Sequence, residues 1–129
     1  MATIYKKLKV NAPSDKVWRK VADVGGVHKL LGVITESHLE GDTRYCTTAQ
    51  GGTLKERIVS IDNNLKRISY SITSSPFGFE YHASSWQVTA DGDGSIVEWF
   101  TDVKPDTAAE GLGQLIESEG GNIVWMSTL

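Results

Sequence analysis

The sequence predicts an α+β fold, in which a curved seven-stranded antiparallel sheet wraps around a C-terminal helix, with two short helices after the first strand. Three observations predict it. Period-two alternation gives way to a helical pattern across a single proline at Ala12-Pro13. Strand-like segments then follow in a meander punctuated by Gly, Asp and Asn, and the chain closes on one helical stretch after Pro105. A sheet curved around one helix encloses space.

The elements are justified in chain order. Ile4, Leu8 and Val10 fall on one face of the first strand, and Tyr5, Lys7 and Lys9 on the other, as a half-buried strand requires. Pro13 cannot donate to a sheet ladder and its fixed φ suits a helix start, with Ser14 and Asp15 as expected acceptors for the first free amides. Val17, Val21 and Trp18 form the apolar stripe of that helix. Gly25-Gly26 is expected to end it before a second short turn from Val27 to Leu31.

Six strands are expected near Ile34 to Glu40, Thr43 to Gln50, Thr53 to Ile61, Arg67 to Thr73, Phe79 to Thr89 and Ile96 to Val103. Gly41-Asp42, Gly51-Gly52, Asp62-Asn63-Asn64 and Asp91-Gly92-Asp93-Gly94 supply turn chemistry. The last of these lacks the spaced ligands and terminal Glu of a calcium loop and reads as a hairpin. An Asp106-Thr107 cap opens the final helix, with Leu112, Leu115, Ile116 and Ile123 at helical spacing. Gly111, Gly113, Gly120 and Gly121 each cost up to about 1 kcal/mol against Ala in a helix, so the segment relies on burial or kinks at Gly120-Gly121.

Composition removes several function classes. With 129 residues the chain is expected to form a single ligand-binding domain over residues 1–129, large enough to fold without staples. One cysteine, Cys46, allows no internal disulfide. With no signal-peptide core and no long apolar run, a cytoplasmic location without membrane insertion is the expectation. A net charge of −3 without a basic cluster argues against nucleic acid. His28, His38 and His82 stand on separate segments without metal-ligand spacing, so no metal is expected and all three are placed in solvent.

Several stretches together resemble one superfamily: Ala-Pro-x-x-x-Val-Trp from Ala12 to Trp18, Gly41-Asp42-Thr43-Arg44, Leu54-Lys55-Glu56-Arg57-Ile58 followed by Asp62, Ile68-Ser69-Tyr70-Ser71-Ile72, and the Tyr81 strand. In order and spacing the chain is similar to the SRPBCC superfamily of helix-grip folds. Its members include START lipid-transfer domains, the birch-pollen allergen and the polyketide cyclase/dehydrase-like proteins, to which the resemblance is closest.

The resemblance implies a deep, largely apolar cavity between sheet and last helix, filled by a lipid, polyketide or aromatic compound and needing no cofactor. Positions matching the family's inward ones are Arg44, Cys46 and Thr48; Leu54, Glu56 and Ile58; Tyr70 and Ile72; Tyr81 and Ala83; Glu98 and Phe100. The last helix adds Leu112, Leu115, Ile116 and Ile123. The connection from Ser74 to Gly78 is the expected mouth, with Phe77 and Phe79 covering the ligand and the glycine-weakened helix as an opposing, movable wall.

Alternation by itself supports the inward direction of Ile68, Tyr70 and Ile72. In the last strand it conflicts with the resemblance, turning Val97, Trp99 and Val103 inward and leaving Glu98 wet. If Trp86 and Trp99 instead pack outside the cage, they offer a surface for a homodimer.

Three functions remain open at this point. A carrier needs only the apolar cavity. A cyclase or dehydratase would use Glu56 and Glu98 as an acid/base pair, with Tyr81 as a donor to a carbonyl and Arg44 holding one carboxylate ionised. A chaperone-assisting interaction module needs neither. Cys46, if buried and apolar, is inert.

Overall fold

The computed structural model describes residues 1–122 of the chain. The predicted switch at Pro13 is present: β1 runs Ala2–Val10 and α1 runs Ser14–Ala22, with Pro13 itself at the N-cap. The cap differs in kind from the expectation. The Pro13 carbonyl accepts from the amides of Lys16 and Val17, and no side chain caps the helix. Asp15 instead pairs with Lys66 Nζ at 3.3 Å. The helix stops at Ala22, and a 3-10 segment Val24–Lys29 absorbs both glycines that were expected to separate the helices.

The meander follows as β2 Ile34–Glu40, β3 Thr43–Thr48, β4 Thr53–Asp62, β5 Arg67–Ser74, β6 Tyr81–Asp91 and β7 Gly94–Lys104. Gly41 and Gly92 take positive φ in the β2–β3 and β6–β7 turns, where a side chain would be strained. Asp62 Oδ1 accepts from the amides of Asn64 and Leu65 and closes the β4–β5 turn. The strands form one antiparallel sheet in the order β1-β7-β6-β5-β4-β3-β2. A short 3-10 turn, Asp106–Ala108, then leads into α2, Ala109–Asn122, capped by Pro105 geometry and without an Asp106 or Thr107 side-chain cap. The helix continues through Gly120 and Gly121. Ile123, expected on its inner face, lies outside the described residues.

The core lies between the inner sheet face, α1 and the Val24–Lys29 segment, with Ile116 of α2 joining it. Trp86 and Trp99 are cross-strand partners and both are buried in it, ring centroids 4.7 Å apart. Such a pair contributes about 0.5–1.5 kcal/mol beyond its area burial. The outward placement that motivated a tryptophan-based dimer is therefore corrected: alternation along β6 and β7 puts both rings on the apolar face. Trp18 is also buried and donates from Nε1 to Asn63 at 3.1 Å, tying α1 to the β4–β5 turn.

Candidate functional site

Cross-strand register assembles the polar centre of the inner face. Arg44 on β3 stands opposite Glu56 on β4, and Cys46 lies two residues further along β3 on the same face. Arg44 Nε donates to Glu56 Oε1 at 2.7 Å and Nη1 to the Val24 carbonyl at 3.0 Å. The guanidinium carbon lies 4.9 Å from the centroid of the Tyr70 ring. Burial works against the Arg44 charge, but Glu56 outweighs it and raises the guanidinium above its usual range. Cys46 Sγ donates to the same Glu56 oxygen at 3.3 Å; burial, then the Glu56 charge, pushes the thiol up to about 12. The same two causes, in that order, lift Tyr70 to about 12.

His82 on β6 faces the same space and is 4% exposed, which corrects its expected placement in solvent. Its Nδ1 accepts from the Ile72 amide at 3.0 Å, so the neutral ring carries its proton on Nε2. Burial holds the imidazole down at about 4, against the opposing pull of Glu56. His28 is half-buried with Nδ1 2.6 Å from Ser37 Oγ, and His38 alone is solvated.

Two joined cavities open beside this cluster. The inner chamber, about 70 Å³, is walled by Leu54, Tyr70, Ile72, Trp99 and residues of α2, with Arg44, Glu56, His82 and Thr101 as its polar members. The outer vestibule, about 380 Å³, lies under Phe77 and Phe79 and against Ala108, Gly111, Leu112 and Leu115. Val33, Phe77, Leu112 and Leu115 line both, forming the neck between them. The vestibule falls within the range of about 300–1,000 Å³ usual for small-molecule sites, whereas the chamber suits a single small group. Glu56 Oε2 and His82 Nε2 have no partner among the described residues, and neither is a sealed atom. The chamber thus offers at least one acceptor and one donor to whatever enters it.

Of the residues expected to line the cavity, Arg44, Leu54, Glu56, Tyr70, Ile72, Phe77, Leu112, Leu115 and Ile116 reach the chamber, and Phe79 reaches the vestibule. Cys46, Thr48 and Ile58 point inward but line neither space. Thr48 is used by the β3–β4 hairpin, accepting from the Gly52 amide at 3.0 Å. Tyr81, Ala83, Glu98 and Phe100 are corrected to the outer face: Tyr81 and Phe100 are exposed, and Glu98 accepts from Tyr5 Oη at 2.8 Å. The reason is parity. His82, Ser84, Trp86 and Val88 alternate inward along β6, and Val97, Trp99, Thr101 and Val103 along β7, so the intervening residues face out. A Glu56–Glu98 acid/base pair is accordingly ruled out, since the sheet separates the two.

Reading by parity also locates what the resemblance missed. His82 shares its phase with Trp86 and Val88, and Thr101 with Trp99. Val27, Leu31, Val33 and Ile34 carry no periodic signal for the cavity, because they reach it from the 3-10 segment, the loop after it and the first residue of β2.

Among the described residues no cluster of three His, Cys, Asp or Glu side chains forms a metal site, and no helix is long and apolar enough to cross a membrane. No curated protein sequence matches the chain. Among solved structures, XoxI from Bacillus cereus is 25% identical with a TM-score of 0.88, covering 96% of this chain and 93% of that one. The Zhui aromatase/cyclase from Streptomyces sp. R1128 is 18% identical with a TM-score of 0.78, covering 98% and 90%. A START superfamily protein from Mycobacterium smegmatis is 12% identical with a TM-score of 0.74, covering 94% and 96%. The last two share the fold, a sheet gripping a C-terminal helix. The family model described as polyketide cyclase / dehydrase and lipid transport matches residues 1–121, and the chain belongs to that family.

Proposed function

We propose that the protein binds a hydrophobic small molecule, a lipid, polyketide or aromatic compound, with its body in the vestibule and one polar group in the chamber. The observation that carries this reading is the adjoining pair of cavities, both largely apolar, with Gln50 in the vestibule and the ionisable side chains Arg44, Glu56 and His82 in the chamber. Arg44 and Glu56 largely satisfy each other there, while Glu56 Oε2 and His82 Nε2 are left to meet a group that both donates and accepts, such as a hydroxyl, an enol or a carboxylic acid. Native mass spectrometry of gently purified protein tests it, followed by thermal-shift titration with fatty acids and aromatic ketones. A co-purified mass or a saturable rise in Tm supports the reading. A bare mass with no shift from any compound overturns it.

A second reading is favoured by the same donor and acceptor. A carboxylate and a neutral imidazole over one chamber are what an aldol-type cyclisation or dehydration requires: Glu56 removes a proton and His82 polarises a carbonyl, with water kept out by the neck. In a carrier, Glu56→Gln and His82→Asn weaken retention of the ligand's polar group and there is no turnover to lose. An enzyme loses turnover of an aryl polyketide mimic while still binding it.

A further inference from the structure

The outer face of the sheet is unusually aromatic. Tyr5, Tyr81 and Phe100 are 48%, 48% and 42% exposed, and the Tyr5 and Phe100 rings lie 4.8 Å apart as a ridge along β1 and β7. Beside the ridge a trough of about 250 Å³ crosses β4 to β7, with Val59 and Phe100 in its walls, Ser85 in its floor and Arg67 and Asp102 along it. Arg67 has no ion-pair partner among the described residues. Asp102 accepts from Thr3 through Oδ1 alone, leaving Oδ2 open.

The register relates these two charges. Arg67 on β5 is paired with Gln87, two residues beyond Ser85 on β6, and Asp102 on β7 is paired with Ala83, two residues before it. They therefore stand at equal and opposite displacements from Ser85. A twofold axis lying in an interface plane over Ser85, at right angles to the line joining them, carries Arg67 of one copy onto Asp102 of the other, twice. We propose that this face is the interface of a homodimer, two sheets packed face to face with reciprocal Arg67–Asp102 pairs.

The dimensions suit such an interface. Five strands, β1, β7, β6, β5 and β4, spaced about 4.8 Å and averaging some 30 Å in length, offer roughly 700 Å², near the ~800 Å² per partner of stable complexes. Aromatic side chains are the ones that interfaces concentrate. At the rim, Arg57 lies 3.5 Å from Asp42, and Lys7 is the cross-strand neighbour of Glu98, whose carboxylate accepts from Tyr5. A second copy is favoured over a foreign partner because one operation satisfies both open charges.

Sedimentation velocity on wild type, Arg67→Asp, Asp102→Arg and Phe100→Ser tests this, with circular dichroism confirming that each variant is folded. Wild type is expected to dimerise, and each single charge reversal to weaken association by roughly 100-fold, because like charges then face each other twice. An equimolar mixture of the two charge variants restores a heterodimer in which both pairs are again of opposite charge, one with its signs exchanged and one as in wild type. A charge variant that fails to fold is replaced by Phe100→Ser, which must also dissociate the dimer. A monomeric wild type, a dimer insensitive to these changes, or a mixture that stays monomeric overturns the proposal. Cavity binding is independent of each of these outcomes.

Discussion

Arg44 and Glu56 face each other across β3 and β4 with Nε to Oε1 at 2.7 Å, and both side chains are buried, at 3% and 7% exposure. A pair so placed is stable only as a pair. Glu56→Ala strands the Arg44 charge, and a loss of about 3–5 kcal/mol is expected, whereas Arg44→Met with Glu56→Leu returns the protein to within about 1–2 kcal/mol of wild type. Urea unfolding of Glu56→Ala, of Arg44→Met and Glu56→Leu singly, and of the double variant checks this. A double variant as unstable as the singles would mean that the pair contributes more than mutual neutralisation.

Acid should destabilise the protein through His82. The unfolded chain takes up this proton near 6.5 and the folded chain near about 4, so between those values the unfolded state holds more protons and stability rises with pH. Acidification through that window removes about 3 kcal/mol, with no further loss from this group below it. In His82→Asn, whose side-chain oxygen replaces Nδ1 as the acceptor for the Ile72 amide, the slope across the window should flatten. Unfolding midpoints measured at stepwise pH would reveal it.

Cys46 should be inert in the folded protein. With the thiol pushed up to about 12 and 3% exposed, alkylation by iodoacetamide at pH 8 is expected to follow global unfolding. Labelling far faster than unfolding, read by mass spectrometry in rising urea, would show that the inner face opens locally.

The neck sets access to the chamber. Leu112 lines both cavities, and Leu112→Trp is expected to abolish ligand-induced thermal stabilisation while leaving the far-ultraviolet circular dichroism unchanged. Retained stabilisation would place the ligand wholly in the vestibule.

Glu98 provides the matching control. It sits on the outer face against Tyr5, so Glu98→Gln should change stability by no more than about 0.5 kcal/mol and leave ligand affinity untouched. Calorimetric titration with a compound identified by native mass spectrometry decides it. A drop in affinity would return Glu98 to the site.

The strands, their turns and the helix start at Pro13 were legible because each is a local signal: period-two alternation, glycines that reach positive φ, and a proline that can only begin a helix. The inward phase of Trp86, Trp99 and His82 was equally present in that alternation. A residue-by-residue carry-over from the resemblance obscured it by assigning Tyr81 and Glu98 the opposite phase, and a slip of one residue exchanges the two faces of a strand. Other features arise only when distant segments meet. The Arg44–Glu56 contact depends on the β3–β4 register, the lowered basicity of His82 on the burial that β6 gives it, and the neck on where Leu112 and Leu115 of α2 stand against Val33 and Phe77. Sequence by itself determined which residues could form strands, turns and an apolar face. Tertiary packing alone decided which polar groups share the enclosed space, because burial and proximity, not residue type, set their charge and their partners.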